Sequence, residues 1–384
     1  MSTGMSENGT LSNVWDTKLQ QFHGGQDWNH LDNFIEDFSV TTNALGTPKA
    51  ALEASREAVS NFQSSQSSNQ EPAKTSLAQF LWPDDYLKHK DRLLLGNGAS
   101  ELIDLAIRSA PSGPWKPGPW DTQYKEYQRS AEANNRTALP SKDTNRATLL
   151  CIVNPCNPTG DYFTVEELKR WIIDNVEDGG VVLVDESMQP WQLSEFRSDS
   201  LISQHEFLAS IYRESNVSVY VIHSWTKIWS CAGLRVGSVV CPTAQHCDAL
   251  KRIQVPWSVN GPALAFLDTV VKDHEYMERT WEVTTRWRAE LIDRLMSLSK
   301  AIVDSHNDER LAWKFHGKKF LSWVWIDMKT IEIAEEAVAK AKAAGVPVRS
   351  GNPGYDRPTF VRVAVREPSK VDFLIQAWKT LGIR

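Results

Sequence analysis

Four short polar runs carry the residue types that acid–base and covalent chemistry need. They are Gly96-Asn97-Gly98-Ala99-Ser100-Glu101, Asn154-Pro155-Cys156-Asn157-Pro158-Thr159-Gly160, Asp185-Glu186-Ser187 and His223-Ser224-Trp225-Thr226-Lys227. Together they supply a glycine-rich helix start, a side-chain amide, a carboxylate and an amine. A helix start offers backbone N–H groups to an anion. A carboxylate can keep a ring nitrogen protonated, and a lysine amine adds to carbonyl carbons. Taken singly, each run has a plain structural reading. Gly96-Asn97-Gly98 is a tight turn, Asn157 to Gly160 is another, Asp185 is a strand-end residue, and Lys227 is a solvated lysine. Their occurrence together is what needs a cause.

The elements that precede these runs supply one. Leu93–Leu95, Thr148–Val153, Val181–Val184 and Val217–Ile222 are short and apolar, and each leads into one of the runs. The last three are continuous and rich in β-branched residues, which predicts strands buried on both faces of a parallel sheet. Thr164-Val165-Glu166-Glu167 is a capping box opening an amphipathic helix between two of them. Strand–helix–strand at this spacing predicts right-handed βαβ units and an α/β fold. Ligands of open α/β sheets lie at the carboxyl ends of the strands, so the four runs are expected at one edge. Pyridoxal 5′-phosphate asks for this inventory: donors for its phosphate, a carboxylate for its pyridine nitrogen, a donor for its ring oxygen and a lysine for its aldehyde.

Further along, a helix over Thr280–Leu298, a strand over Phe320–Ile326, an alanine-rich helix over Ile331–Ala344 stopped by Gly345, and a strand over Phe360–Val365 predict a smaller α/β unit. The expected organisation is a disordered stretch 1–20, an N-terminal segment 21–50 shared by the substrate site and the small domain, a large cofactor-binding domain 51–284, and a small domain 285–384. Ser60–Ser76 is Ser/Gln-rich without apolar period and reads as a long surface loop. The net charge of -6 gives no reason to expect nucleic acid or an anionic membrane as partner. No run has the roughly 18 apolar residues of a membrane span. The N-terminus lacks a secretory pattern, and the 5 cysteines do not pair by spacing; a cytoplasmic location with reduced thiols is the expectation. Most of the 16 tryptophans are expected in the core or at a subunit interface. No metal ligands are assigned.

The order GNGASE, NPCNPTG, VVLVDES, SWTK and GLRVG resembles fold-type I aminotransferases, in particular the group of histidinol-phosphate aminotransferase and threonine-phosphate decarboxylase. His23-Gly24-Gly25, Asp37-Phe38-Ser39 with Asn43, Pro256-Trp257-Ser258-Val259-Asn260 and Arg362-Val363-Ala364-Val365-Arg366 add local matches, so the likeness runs from about residue 22 to the end. The resemblance implies a large domain with a mostly parallel sheet flanked by helices, a small C-terminal α/β domain, and a homodimer. It also implies roles. Lys227 carries the cofactor as a Schiff base and moves the substrate's α-proton; Asp185 pairs with the pyridinium; Asn157 donates to the ring oxygen. Gly98, Ala99, Ser100, Ser224 and Arg235 form the phosphate site, and Tyr124 stacks on the ring. Arg362 takes the substrate carboxylate by a bidentate fork, although its place on the face of Phe360 and Ala364 also fits a surface salt bridge. His23, Asn43, Arg349 and Arg366 are candidates for the rest of the substrate.

Three departures stand against that pattern. Met188 occupies the place of a tyrosine that would donate to the ring oxygen. Asn69-Gln70-Glu71-Pro72 lacks the tyrosine expected from a partner subunit. Thr41 and Ala44 replace an asparagine and a proline. The expected activity is transamination of an amino acid, possible substrates including phosphorylated ones, with decarboxylation of a phosphorylated amino acid as the alternative. A non-catalytic relative would not need Asp185, Asn157, Lys227 and Arg235 together. A dinucleotide-binding enzyme would need a third glycine where Glu101 stands.

Overall fold

The computed structural model describes residues 25, 31–60, 69–352 and 354–382. The larger sheet has six strands: β1 (Leu93–Asn97), β2 (Trp115–Pro117), β3 (Ala147–Val153), β4 (Val176–Asp185), β5 (Ser218–Ser224) and β6 (Val236–Val240), in spatial order β1-β6-β5-β4-β3-β2. From β2 to β5 the strands are parallel, and β6 runs antiparallel to both neighbours. The pleat explains the apolar runs. Val182 and Val184 of β4 belong to one core with Leu150 and Ile152, while Val181 and Leu183 face a second core with Leu149 and Cys151. Each fully buried aliphatic side chain contributes roughly 1.5–3 kcal/mol. The capping box forms as expected: Thr164 caps the helix Val165–Asn175 and Glu167 returns to the Thr164 N–H at 2.8 Å.

Register fixes the working edge. Val153 stands opposite Asp185, Asp185 opposite Ile222, Ser224 opposite Gly237, and Val236 opposite Asn97. The four polar runs therefore emerge side by side. A slip of one residue in any pairing would turn its side chains to the other face.

The second sheet is antiparallel and has the order β7 (Lys314–His316), β8 (Trp323–Asp327), β10 (Phe360–Ala364), β9 (Arg349–Ser350). Its core collects Leu291, Leu295, Val324, Ile326, Val363 and Trp378. The N-terminal segment belongs here too. Phe38 is fully buried in this core, its N–H reaches the Pro347 carbonyl at 2.9 Å, and its carbonyl accepts from Ala364.

Several boundaries differ from expectation. The helix expected over Thr280–Leu298 runs from His274 to His306, because Asp273 caps its start and Asn307 closes it in the left-handed conformation. It spans the expected 284/285 division, so a continuous helix joins the two halves. The strand near residue 320 begins at Trp323 and ends at Asp327. Ala73–Ser76, read as loop, opens the helix Ala73–Leu81, whose Leu77, Phe80 and Leu81 pack into the core. Residues 1–20 and 61–68 lie outside the described residues.

Arg366 is a correction. Instead of gripping substrate it is buried and ties down the N-terminal segment, donating to the carbonyls of Asp37, Val40 and Thr42 and to Glu36. Arg366→Met should keep the volume and strand those acceptors. The expected cost is about 3–5 kcal/mol, read as a lowered urea midpoint; an unchanged midpoint would contradict this tethering role.

Candidate active site

Lys227 follows β5 directly, in the one-turn helix Trp225–Ile228. Its ammonium makes one long contact, 3.4 Å to Thr226 Oγ1. Burial, then the nearby Arg235 and Arg362 charges, lower its pKa to about 8, against the opposing pull of Cys231 and Asp185. Asp185 ends β4 and is 5 % exposed. Burial pushes its pKa up, while the Ser187 N–H, 2.9 Å from Oδ1, favours the ionised form. The Tyr127 phenol also faces this carboxyl. It lacks an aligned hydrogen bond, so we regard it as an oriented dipole. Tyr127 was not singled out in the sequence; its position three residues after Tyr124 was the available signal.

The glycine-rich run forms a cradle. Gly98 precedes the helix Ala99–Ser109 with φ +77, and a Cβ there would lie 2.5 Å from Arg235 Nη2. Arg235 thus lies across the glycine at the helix start. A Cβ on Gly237 would lie 2.5 Å from the Ala99 nitrogen, so the helix start also needs a bare strand beneath it. Ser224 adds a hydroxyl, 2.9 Å from Thr226 Oγ1, and its N–H donates to Ser187 Oγ at 2.7 Å. Tyr124 bonds toward Ser100, and burial raises its pKa.

Ala99, Ser100, Tyr124, Asn157, Asp185, Ser224, Lys227 and Arg235 line one cavity, as do Val153, Ser187, Met188 and Thr226. Three of the last four were not assigned to the site from sequence: Ser187 and Thr226 lie within two residues of Asp185 and Lys227, and Val153 ends the strand that leads to Asn157. Arg362 approaches from the small domain. It is 5 % exposed, which removes the surface salt bridge as its explanation. It donates to Asn157 Oδ1 and, at 2.5 Å, to the Ser39 carbonyl, while its buried Nε has no protein partner. Arg349 stands opposite it across the β9–β10 pair. Asn43 is a correction. Its amide binds the Ile228 carbonyl at 2.9 Å and Thr280 Oγ1 at 2.7 Å, and its N–H binds the Lys227 carbonyl at 3.0 Å. It anchors the lysine's backbone and does not line the cavity. His23 lies outside the described residues.

The donor set suits pyridoxal phosphate: a helix start with two hydroxyls and an arginine for a dianion, a buried carboxylate for a ring nitrogen, and an amine of lowered basicity. Among the described residues no helix is long and apolar enough to cross a membrane. A different cluster, Asp85, His89 and His205, brings donor atoms within 4.8 Å. Its imidazoles stack at 3.9 Å, and Arg92 Nη1 lies 3.5 Å from His205. Burial and neighbouring charges lower the His205 pKa to about 4; the cationic part of that field opposes a dication as well.

Behind Asp185, Glu186 and His223 form a buried pair 4.0 Å apart. Burial raises the Glu186 pKa to about 7 and lowers that of His223 to about 3.

Residues 120–377 match the family model of aminotransferase class I and II. The chain is 26% identical over 360 residues to histidinol-phosphate aminotransferase 2 of Pseudomonas aeruginosa, covering 89% of this chain and 88% of that one. Its fold is similar to histidinol-phosphate aminotransferase of Sinorhizobium meliloti, solved with pyridoxal-5′-phosphate (TM-score 0.73, 16% identity, 96% of this chain and 98% of that one). It is also similar to L-threonine-O-3-phosphate decarboxylase of Porphyromonas gingivalis (TM-score 0.65, 17% identity, 90% and 99%).

Two pH effects follow. The neutral amine of Lys227 is populated as pH passes about 8. Capture of an aldehyde probe by the cofactor-free protein should therefore accelerate through pH 8 and level off above it; a profile centred near 10 would mean a solvated lysine. Glu186 has a folded pKa above its ordinary value, so its contribution to stability is complete below about 4.5 and is lost as pH rises through about 7. Glu186→Gln should remove that loss, leaving the variant relatively more stable at pH 8 than at pH 5 in paired melting curves. An equal offset at both values would count against it.

Proposed function

The chain belongs to the aminotransferase class I and II family, and on that premise we propose that it is a pyridoxal-phosphate-dependent aminotransferase acting on an amino acid. One observation carries the reading: Lys227, Asp185, Ala99, Ser100 and Arg235 line a single cavity, at the edge where the strands end. When bound, the cofactor supplies an electron sink for the bonds at the substrate's α-carbon. Lys227 would hold it covalently and would serve as the base for the α-proton, a task suited to an amine with pKa about 8. Asp185 keeps the ring nitrogen protonated. Ser100, Ser224, Arg235 and the N–H groups after Gly98 hold the phosphate. Asn157 gives its Oδ1 to Arg362, which leaves Nδ2 to donate to the ring oxygen. Tyr124, in the cavity wall, would cover the ring. Arg362 takes the substrate carboxylate, for which its partnerless Nε is an available donor. His23 and Arg349 remain candidates for the distal part of the substrate.

Met188 favours a second reading. It lines the cavity where a hydroxyl donor is expected from the resemblance, and the same scaffold would then release CO2 from a phosphorylated amino acid. We also propose a homodimer. Val255 and Trp257, 69% and 64% exposed, follow Gln254, which bonds Glu101 beside the cradle; their apolar surface is suited to a second copy. The five free, buried cysteines support a reducing compartment such as the cytoplasm.

Incubation with an amino-acid panel, with and without 2-oxoglutarate, tests the reaction. Keto acid that depends on the acceptor is expected; CO2 without an acceptor would establish the second reading instead. Borohydride should fix the cofactor on Lys227. Lys227→Ala should abolish turnover with the fold intact, and Asp185→Ala should cost on the order of 10³-fold in rate.

A further inference from the structure

β4 and β5 separate where the cavity begins. Their last backbone rung runs from the Glu186 N–H to the Ile222 carbonyl at 2.9 Å. In a parallel pair the next rung would join the Ser224 N–H to the Glu186 carbonyl. That carbonyl is instead drawn into a tight turn, where it accepts from the Gln189 N–H at 2.9 Å. The Ser224 N–H has lost its ladder partner, and a donor in such a place needs another acceptor. It finds the Ser187 hydroxyl oxygen at 2.7 Å.

Ser187 also faces Asp185. The two line the cavity, while Glu186 between them turns away and accepts from the Leu201 N–H at 2.9 Å. The Ser187 N–H donates to Asp185 Oδ1 at 2.9 Å. A hydroxyl has one proton as well as its lone pairs. With the oxygen accepting from Ser224, the O–H is left to donate to the carboxylate that the backbone of the same residue already holds. Ser187 is the main hydrogen-bonding influence that favours the ionised carboxylate against burial. The other titratable groups around this carboxyl are Tyr124, Tyr127, Cys156, Glu186 and Lys227. Of these only Lys227 can be cationic, and the proposed reaction commits that amine to the cofactor.

We propose that Ser187 is a positioning residue that ties the Asp185 carboxylate to the Ser224 backbone, fixing the group that meets the cofactor's ring nitrogen relative to the one that meets its phosphate. The role deepens the aminotransferase reading and rests on it. Asp185 is the last residue of its strand and Ser224 the last of the next. Without the clamp each would depend on its own strand end for its place. Through Ser187 the two ends move as one unit. An alanine could occupy the same turn and line the same cavity, so packing alone does not call for a hydroxyl.

Ser187→Ala removes the hydroxyl and keeps the turn. In the cofactor-free full chain, the Asp185 carboxyl is followed by NMR with isotope-labelled aspartate and assigned with Asp185→Asn. Losing a donor to the ionised form should move its titration to higher pH than in the parent. Pyridoxal phosphate is then titrated into both proteins. Its dissociation constant should rise about tenfold in the variant, the effect of one lost hydrogen bond to a charged group. An isotope label on the pyridine nitrogen should report a less protonated ring. An unchanged carboxyl titration overturns the proposal, because a packing role would weaken binding or lower Tm without moving it. Unchanged cofactor affinity also overturns it where the parent binds the cofactor. If the parent takes up no pyridoxal phosphate, the aminotransferase reading fails, and the carboxyl titration alone decides whether Ser187 holds Asp185.

Discussion

An ammonium group is badly placed where Lys227 lies. The site is largely desolvated, two guanidinium groups are close, and Asp185 is the carboxylate that partly balances them. The fold must therefore force the lysine into position. It does so through backbone. The Lys227 carbonyl accepts from Asn43, whose side chain also holds Ile228 and Thr280. The N-terminal segment, the lysine turn and the long helix are joined at one amide. The resulting strain on the charge is chemically useful, since an amine that gives up its proton near neutral pH is nucleophilic there.

The cavity is lined from the larger sheet and its loops, by Lys227, Asp185, Ala99, Ser100 and Arg235 among others; the second sheet reaches it through Arg362, which bonds Asn157 in its wall. Their contact is tight where it matters. Trp323 donates to the Pro158 carbonyl at 2.8 Å, and a Cβ on Gly160 would lie 2.3 Å from the Gly317 Cα. Arg362 then reaches Asn157 directly. The loop that sets the amide toward the cofactor is thereby coupled to the group that reads the substrate. A net positive field results, and it selects anionic ligands before any particular contact forms.

Much of this was legible in the residues, for a physical reason. Strands buried on both faces leave continuous apolar runs, and their polar ends mark the edge where ligands bind. What escaped was of two kinds. Short edge pieces such as Trp115–Pro117 and Arg349–Ser350 carry too few residues for a period to show. The other kind is long-range use of polar groups. Nothing local distinguishes Arg362, which bonds Asn157 of the cavity wall, from Arg366, which binds the chain at Asp37 to Thr42. They share a strand-end motif, four residues apart, and only packing against the N-terminal segment separates them. Asn43 was likewise read as a ligand group because the partners of its side-chain amide, the Ile228 carbonyl and the Thr280 hydroxyl, lie 185 and 237 residues away. The GNG and DES runs were easier because their function depends on neighbours in sequence.

The choice between breaking Cα–H and Cα–COO⁻ comes down to which group stands ready to receive what leaves. Removal of a proton needs a base of matched strength within reach; loss of CO2 needs none at that step. Burial, with the nearby Arg235 and Arg362 charges, lowers the Lys227 pKa to about 8, so it can accept a proton and return it within the pH range where the enzyme would work. Met188 removes one donor near the ring and weakens the case from the opposite side. Yet Met188 acts on the ring, whereas the lysine acts on the bond, and the group nearest the bond carries the greater weight. Membership of the aminotransferase family and an amine of lowered basicity in the cavity together favour transamination over decarboxylation.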